Sequence, residues 1–112
     1  MEELWLVSAE KLLYTREDGR LIIAAQLKVV TQVKNLSYEK RVGLRYSMDQ
    51  FEHYVDMIGQ WSRQVNNEID EFVVLSRADI PPGVLVQYSL FYQVENITYW
   101  DPPDGTFYSI QL

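Results

Sequence analysis

The sequence predicts an all-β fold, an antiparallel β-sandwich, and three observations carry that prediction. Long runs at residues 21–33, 41–48 and 84–94 alternate apolar with polar side chains at period two, the repeat of a strand with one buried face. Turn signals at Asp18-Gly19, Pro81-Pro82-Gly83 and Pro102 to Gly105 punctuate the runs. The 112 residues, 47% hydrophobic and 13% aromatic, suffice for one domain, 1–112, with a packed core and no covalent or metal staple.

Taken in order, Glu3 to Tyr14 comes first. Leu4, Leu6 and Leu12 face opposite to Trp5, Val7 and Leu13, so the segment reads as a strand buried on both sides. From Leu21 to Val33, Leu21, Ile23, Ala25, Leu27, Val29 and Val33 share one face, and Gln26, Lys28 and Gln32 share the other. In Arg41 to Met48, Val42, Leu44, Tyr46 and Met48 point inward while Arg41, Arg45 and Ser47 point outward. The next segment breaks the pattern. Met48, Phe51, Val55, Ile58 and Trp61 recur at helical spacing, and Ser47 with Gln50 resembles a capping box. A short helix from Asp49 to about Met57 and an irregular loop fit this segment equally well. Glu71 to Ser76 reads as a short strand. Val84 to Val94 is a long one, with Val84, Val86, Tyr88, Leu90, Tyr92 and Val94 inward, Gln87, Ser89 and Gln93 outward, and Phe91 interrupting the polar face. Thr98 to Trp100 and Tyr108 to Leu112 complete the set. No internal repeat or low-complexity segment interrupts it, and strands so arranged pack as an immunoglobulin-like sandwich.

A net charge of −6, with the ten Lys and Arg scattered along the chain, repels a phosphate-rich partner and argues against nucleic acid. No window approaches the roughly 20 apolar residues that cross a bilayer, so a membrane partner is not expected. The opening MEELWLVSAEK has no basic region followed by an apolar run, which makes the cytoplasm the expected location. Without cysteine there is no disulfide, thiolate or cysteine-based zinc chemistry. The one histidine, His53, reads as a solvated residue. Asp49, Glu52 and Asp56 are spaced for one helical face, where charged side chains are ordinarily solvated, so no metal site is assigned. Asp101 and Asp104 lie among rings, yet two aspartates in one exposed turn do not form the cleft a glycosidase pair needs. No cofactor and no catalytic residue are expected.

What remains is the stretch YWDPPDGTFY, Tyr99 to Tyr108, which surrounds a turn with rings. Alternation places one of Tyr99 and Trp100 in the core and the other outside. It turns Tyr108 and Ile110 inward, which leaves Phe107 outward. An exposed ring beside polar turn groups suits a pyranose, whose C–H face lies on the ring while amides or carboxylates take its hydroxyls. The same rings could equally cap one end of the sandwich.

At VKNLSYEKRVGLRYSMDQF, Val33 to Phe51, and at YWDPPDGTFYSI, Tyr99 to Ile110, the sequence resembles the family 21 carbohydrate-binding modules. These are starch-binding domains of some fungal glucoamylases and parts of the glycogen-targeting regulatory subunits of protein phosphatase 1. The family pattern runs VKN, an aromatic, K, a strand, D-x-W, and near the C-terminus WDNN followed by NY. Here VKNLSYEK matches, Phe51 replaces the Trp of D-x-W, Pro102 and Pro103 replace both asparagines of WDNN, and Phe107 replaces the asparagine of NY.

The resemblance implies a β-sandwich that binds glycogen or starch-like α-glucan, does no chemistry and places a partner enzyme or phosphatase on the polymer. One sugar site would use Asn35, Tyr38 and Lys40. The other would use Phe51, Trp100, the two turn residues that are now Pro102 and Pro103, and Phe107, in a turn that has kept its rings and lost three amides; Asp101 and Asp104, the carboxylates beside these rings, are added as candidates for sugar hydroxyls. The alternative is a protein-interaction domain whose contact surface is Trp100 and Phe107. The phosphatase-docking pattern of basic residue, Val, any residue, Phe does not occur; Arg41-Val42-Gly43-Leu44 comes nearest and lies in an expected strand.

Overall fold

The computed structural model describes residues 2–15 and 22–112. Among them are nine strands: β1 (Leu4–Thr15), β2 (Ile22–Lys34), β3 (Lys40–Ser47), β4 (Val55–Ile58), β5 (Gln60–Asn66), β6 (Ile69–Leu75), β7 (Leu85–Val94), β8 (Ile97–Asp101) and β9 (Tyr108–Gln111). Antiparallel pairing gives a four-stranded sheet, β1-β2-β6-β5, and a five-stranded sheet, β4-β3-β7-β8, in which β9 also pairs with β7. The Asp18-Gly19 turn, Leu21 and the Ile23 side chain lie outside the described residues. Among those described, no helix is long and apolar enough to cross a membrane.

The core is built by the faces that alternation selects. Ala25, Leu27, Val29 and Val33 of β2 meet Val42, Leu44 and Tyr46 of β3 and Val86, Tyr88, Leu90, Tyr92 and Val94 of β7, all buried. Thr31 joins the β2 face because its hydroxyl donates to the Trp5 carbonyl at 2.7 Å, which satisfies it without water. Tyr99 and Tyr108 pack on the core, while Trp100 and Phe107 face out. Phe91 is buried on the outer face of its sheet for a reason found on the neighbouring strand. Gly43 lies opposite it, and a Cβ there would sit 2.2 Å from Phe91 Cζ, so the ring fills the space a side chain would take.

Two expectations are corrected and one open alternative is decided. β1 is an edge strand, with Val7 at a register shift and Val7, Leu13 and Tyr14 exposed, so it is not buried on both sides. Ser47 is buried and Met48 exposed, the reverse of their expected directions, because the Ser47 hydroxyl turns in to accept from Phe51 N at 2.9 Å and closes a turn. The helix from Asp49 to Met57 is absent. In its place is that turn, where Gln50 and Phe51 have φ of 60° and 65°, followed by β4. The competing interactions are local: Asp49 accepts from His53 N at 3.0 Å, and Val55 and Met57 gain a partner strand and core contact that a helix would forgo. Beyond these, β4 and β5 are one ribbon that changes sheets at Gly59. The Gly59 amide donates to Val42 O at 2.7 Å, and a Cβ would lie 2.7 Å from Val74 Cγ2, so the crossing passes too close to its neighbours for a side chain.

Candidate functional site

β3 runs between two surfaces, a groove at its Lys40 end and the aromatic turn at its Ser47 end. The groove forms where β2 gives way to the loop 35–39. Tyr92, fully buried on β7, donates its hydroxyl to Lys34 O at 2.6 Å, and Asn35 N donates to Glu68 O at 2.7 Å, so the start of the loop is held from both sheets. Lys40 then closes it. Its ammonium donates to Asn35 Oδ1 and Ser37 O, each at 2.7 Å, and pairs with Asp70 Oδ2 at 3.2 Å. An ammonium has three protons, and these three acceptors take them all. With Lys40 and Asp70 side chains only 9% and 8% exposed, the pair is part of the wall rather than the rim. Tyr38, by contrast, is 96% exposed.

Across the open groove of about 740 Å³ stands Trp61, 58% exposed on the edge strand β5, with Phe72 at its side and Gln64 farther along. Two accessible rings therefore share one groove with a fixed amide, a carboxylate and a second amide. The structure brings Asn35, Tyr38 and Lys40 together as the sequence reading expected. It adds Trp61, Gln64 and Asp70, which that reading missed. In the sequence, Trp61 reads only as the last of five apolar residues at helical spacing, beyond the candidate helix. The available signal was Gly59, a break between two short runs that each suit a strand better than a helix.

At the other end, a depression of about 360 Å³ is walled by Phe51, Tyr54, Trp100, Pro102, Pro103 and Phe107. Trp100, supported from beneath by Phe91 at 5.7 Å between centroids, is partly exposed. The Arg45 guanidinium lies 4.1 Å from the Tyr54 centroid and 5.1 Å from that of Trp100, and makes a bidentate pair with Asp56 at 2.8 and 3.0 Å that raises its pKa further. Its charge is thus spent within the protein. Phe51 and Phe107 stack on each other at 4.0 Å and 15°, so each ring covers one face of the other. The Asp101-Pro102 peptide bond is cis.

The two aspartates of this turn separate in role. Asp101 is buried and does not face the depression: its carboxylate accepts from Leu6 N of β1 at 2.8 Å and from the Tyr108 hydroxyl at 2.6 Å, tying β8 to the other sheet. Burial and this carboxylate push the Tyr108 pKa up strongly. Asp104 is exposed and accepts from the Thr106 amide and hydroxyl at 3.1 and 2.6 Å, which holds its carboxyl below the ordinary range and stabilises the turn. Asp49, Glu52 and His53 cluster nearby on the surface, all exposed.

A family model described as carbohydrate/starch-binding module (family 21) matches residues 20–111. The chain belongs to that family. As a carbohydrate-binding module it is similar to protein phosphatase 1 regulatory subunit 3A of Homo sapiens, 28% identical over 97 residues that cover 80% of this chain and 8% of the relative. To regulatory subunit 3C-B of Danio rerio it is 29% identical over 83 residues, covering 70% of this chain and 26% of the relative. The module thus spans well under a third of the length of either relative. Its fold matches the solution structure of the carbohydrate binding module of the muscle glycogen-targeting subunit of protein phosphatase 1, with a TM-score of 0.71 at 23% identity over 98% of this chain and 76% of that one. It also matches the starch binding domain of Rhizopus oryzae glucoamylase, solved with β-cyclodextrin and maltoheptaose, with a TM-score of 0.66 at 14% identity over 100% and 95% of the two chains. In the module, the nearest approach to the phosphatase-docking pattern, Arg41 to Leu44, lies in the central strand β3 with Val42 and Leu44 buried, so it is not free to be bound as an extended peptide.

Proposed function

We propose that the module binds α-glucan of the glycogen or starch type in the groove between Tyr38 and Trp61, catalyses no reaction, and holds a partner enzyme or phosphatase on the polymer. The observation that carries this is the pair of exposed rings flanking one groove whose polar wall is already organised. Tyr38 and Trp61 offer planes to the C–H faces of glucosyl units. Asn35, with its oxygen turned to Lys40, presents its amide protons, and Gln64 and the second oxygen of Asp70 can take hydroxyls. Kinship with phosphatase regulatory subunits supports the targeting role. At the turn the support differs. The self-stacked Phe51 and Phe107, and prolines where the family has amides, leave a rigid apolar surface with little to hold a sugar hydroxyl, which favours contact with a protein partner there.

Native electrophoresis through gels with and without glycogen tests the main reading. The parent is expected to be retarded by glycogen, and Tyr38→Ala to lose most of that retardation while keeping its thermal midpoint, since so exposed a side chain contributes little to stability. Equal retardation of parent and variant would remove this groove from the mechanism.

A further inference from the structure

On the far side of the Asn35–Leu36 ridge from the groove lies a second depression, of about 560 Å³, floored by Trp5 and Ile69 and bordered by Lys34, Asn67 and Glu68. The two depressions share Asn35 and Leu36 as their common wall. Trp5 points to the outer face of the four-stranded sheet, opposite Gln32. It is held there by a ladder that takes one residue from every strand of that sheet: Trp5 Nε1 donates to Gln32 Oε1 at 3.2 Å, Gln32 Nε2 to Glu71 Oε1 at 3.1 Å, and Arg63 Nε to Glu71 Oε2 at 3.1 Å. Arg63 and Gln32 keep the Glu71 carboxyl below its ordinary pKa, so the ladder stays charged and intact through neutral pH. A ring pinned before any ligand arrives has already met the ordering cost of a binding platform.

The surroundings define the ligand. Lys34 sets one positive charge against the carboxylates of Glu2 and Glu68, a border of mixed sign that repels an anion and half neutralises itself toward a cation. Asn66 Oδ1 accepts from Glu68 N at 2.8 Å and closes the β5–β6 turn, which leaves the exposed Asn67 at the lip with an amide to offer. An apolar ring edged by an amide and by charges of both signs suits a neutral polyhydroxyl chain. We infer that Trp5 is the platform of a second glucan subsite, engaged by the stretch of polymer that leaves the Tyr38–Trp61 groove over the Asn35–Leu36 ridge. This inference rests on the glucan reading of that groove.

Isothermal titration with maltotriose, short enough for one depression, and with maltoheptaose, long enough for both, tests it. The parent should bind maltoheptaose more tightly than maltotriose. Trp5→Ala should leave maltotriose affinity unchanged and weaken maltoheptaose about three- to tenfold, the range for one lost ring contact. Asn67→Ala, on an exposed turn, should act in the same direction and serves if Trp5→Ala does not fold. Folded variants that bind maltoheptaose as tightly as the parent overturn the subsite and leave the groove standing. So does a parent that self-associates through Trp5 with unaltered sugar affinity, which would make this face a protein contact. A parent that binds neither sugar overturns the glucan reading and the subsite together.

Discussion

In the proposed groove, Lys40 would serve a neutral ligand without touching it. Its three protons are committed to Asn35, Ser37 and Asp70, so the part left to it in the proposed site is to hold the loop closed and Asn35 turned. Lys40→Met and Asn35→Ala should therefore each weaken maltooligosaccharide binding, and the double variant should be no weaker than the worse single one. Titration across this cycle distinguishes positioning from direct contact, for which the losses would add. Asp49 carries a different consequence. Hydrogen bonds from the His53 amide and side chain and from the Ser47 hydroxyl lower its pKa from the ordinary 3.8 to about 2. A carboxyl whose folded pKa is depressed contributes stability that is complete above its unfolded pKa and lost as pH falls through the folded one. The denaturation midpoint of Asp49→Asn should thus lie below the parent's by a constant gap above about pH 4, and the gap should close as pH falls toward 2.

At the scale of elements, the outer face of the five-stranded sheet is organised by an absent side chain. Phe91 occupies the space above Gly43, and Trp100 leans on Phe91, so the ring presented at the turn depends on a glycine one strand farther in. Gly43→Ala should cost about 1–3 kcal/mol by chemical denaturation, the usual range for overpacking, and Phe91→Leu in the same chain should recover part of it. The three long strands and their inward faces, apart from the Ser47–Met48 end of β3, were readable because period two is a local signal. Asn35, Tyr38 and Lys40 came instead from the resemblance to the family at VKNLSYEK, a motif contained in one short stretch that leads into β3. Trp61 was not readable, since Met48, Phe51, Val55, Ile58 and Trp61 mimic a helical stripe, and nothing local announces that Gln50 and Phe51 adopt positive φ. Nor was the fate of Asp101 readable: the amide it accepts from belongs to Leu6, at the other end of the chain. A carboxylate beside a Trp in a turn looks available until its distant partner is known.

Considered as a whole molecule, the protein keeps its two aromatic surfaces apart by the length of β3, about 23 Å at ~3.3 Å per residue. Each can then be occupied without obstructing the other. The net charge of −6 treats the two classes of ligand differently. Retention by glycogen should be unchanged between about 50 and 500 mM salt, because a neutral polymer has no charge to screen, whereas association with a basic protein partner would weaken over that range. Affinity electrophoresis at the two salt concentrations reads this directly. The ribbon that crosses at Gly59 bears on how the molecule comes apart. Since β4 completes one sheet and β5 the other with a single residue between them, neither sheet can peel away while the other stands. Tyr54 and Trp61 flank that crossing, one beside each aromatic surface. Loss of either sheet should therefore dismantle both surfaces at once, and far-UV dichroism and tryptophan fluorescence are expected to report one coincident melting step, with no half-folded form able to grip a ligand.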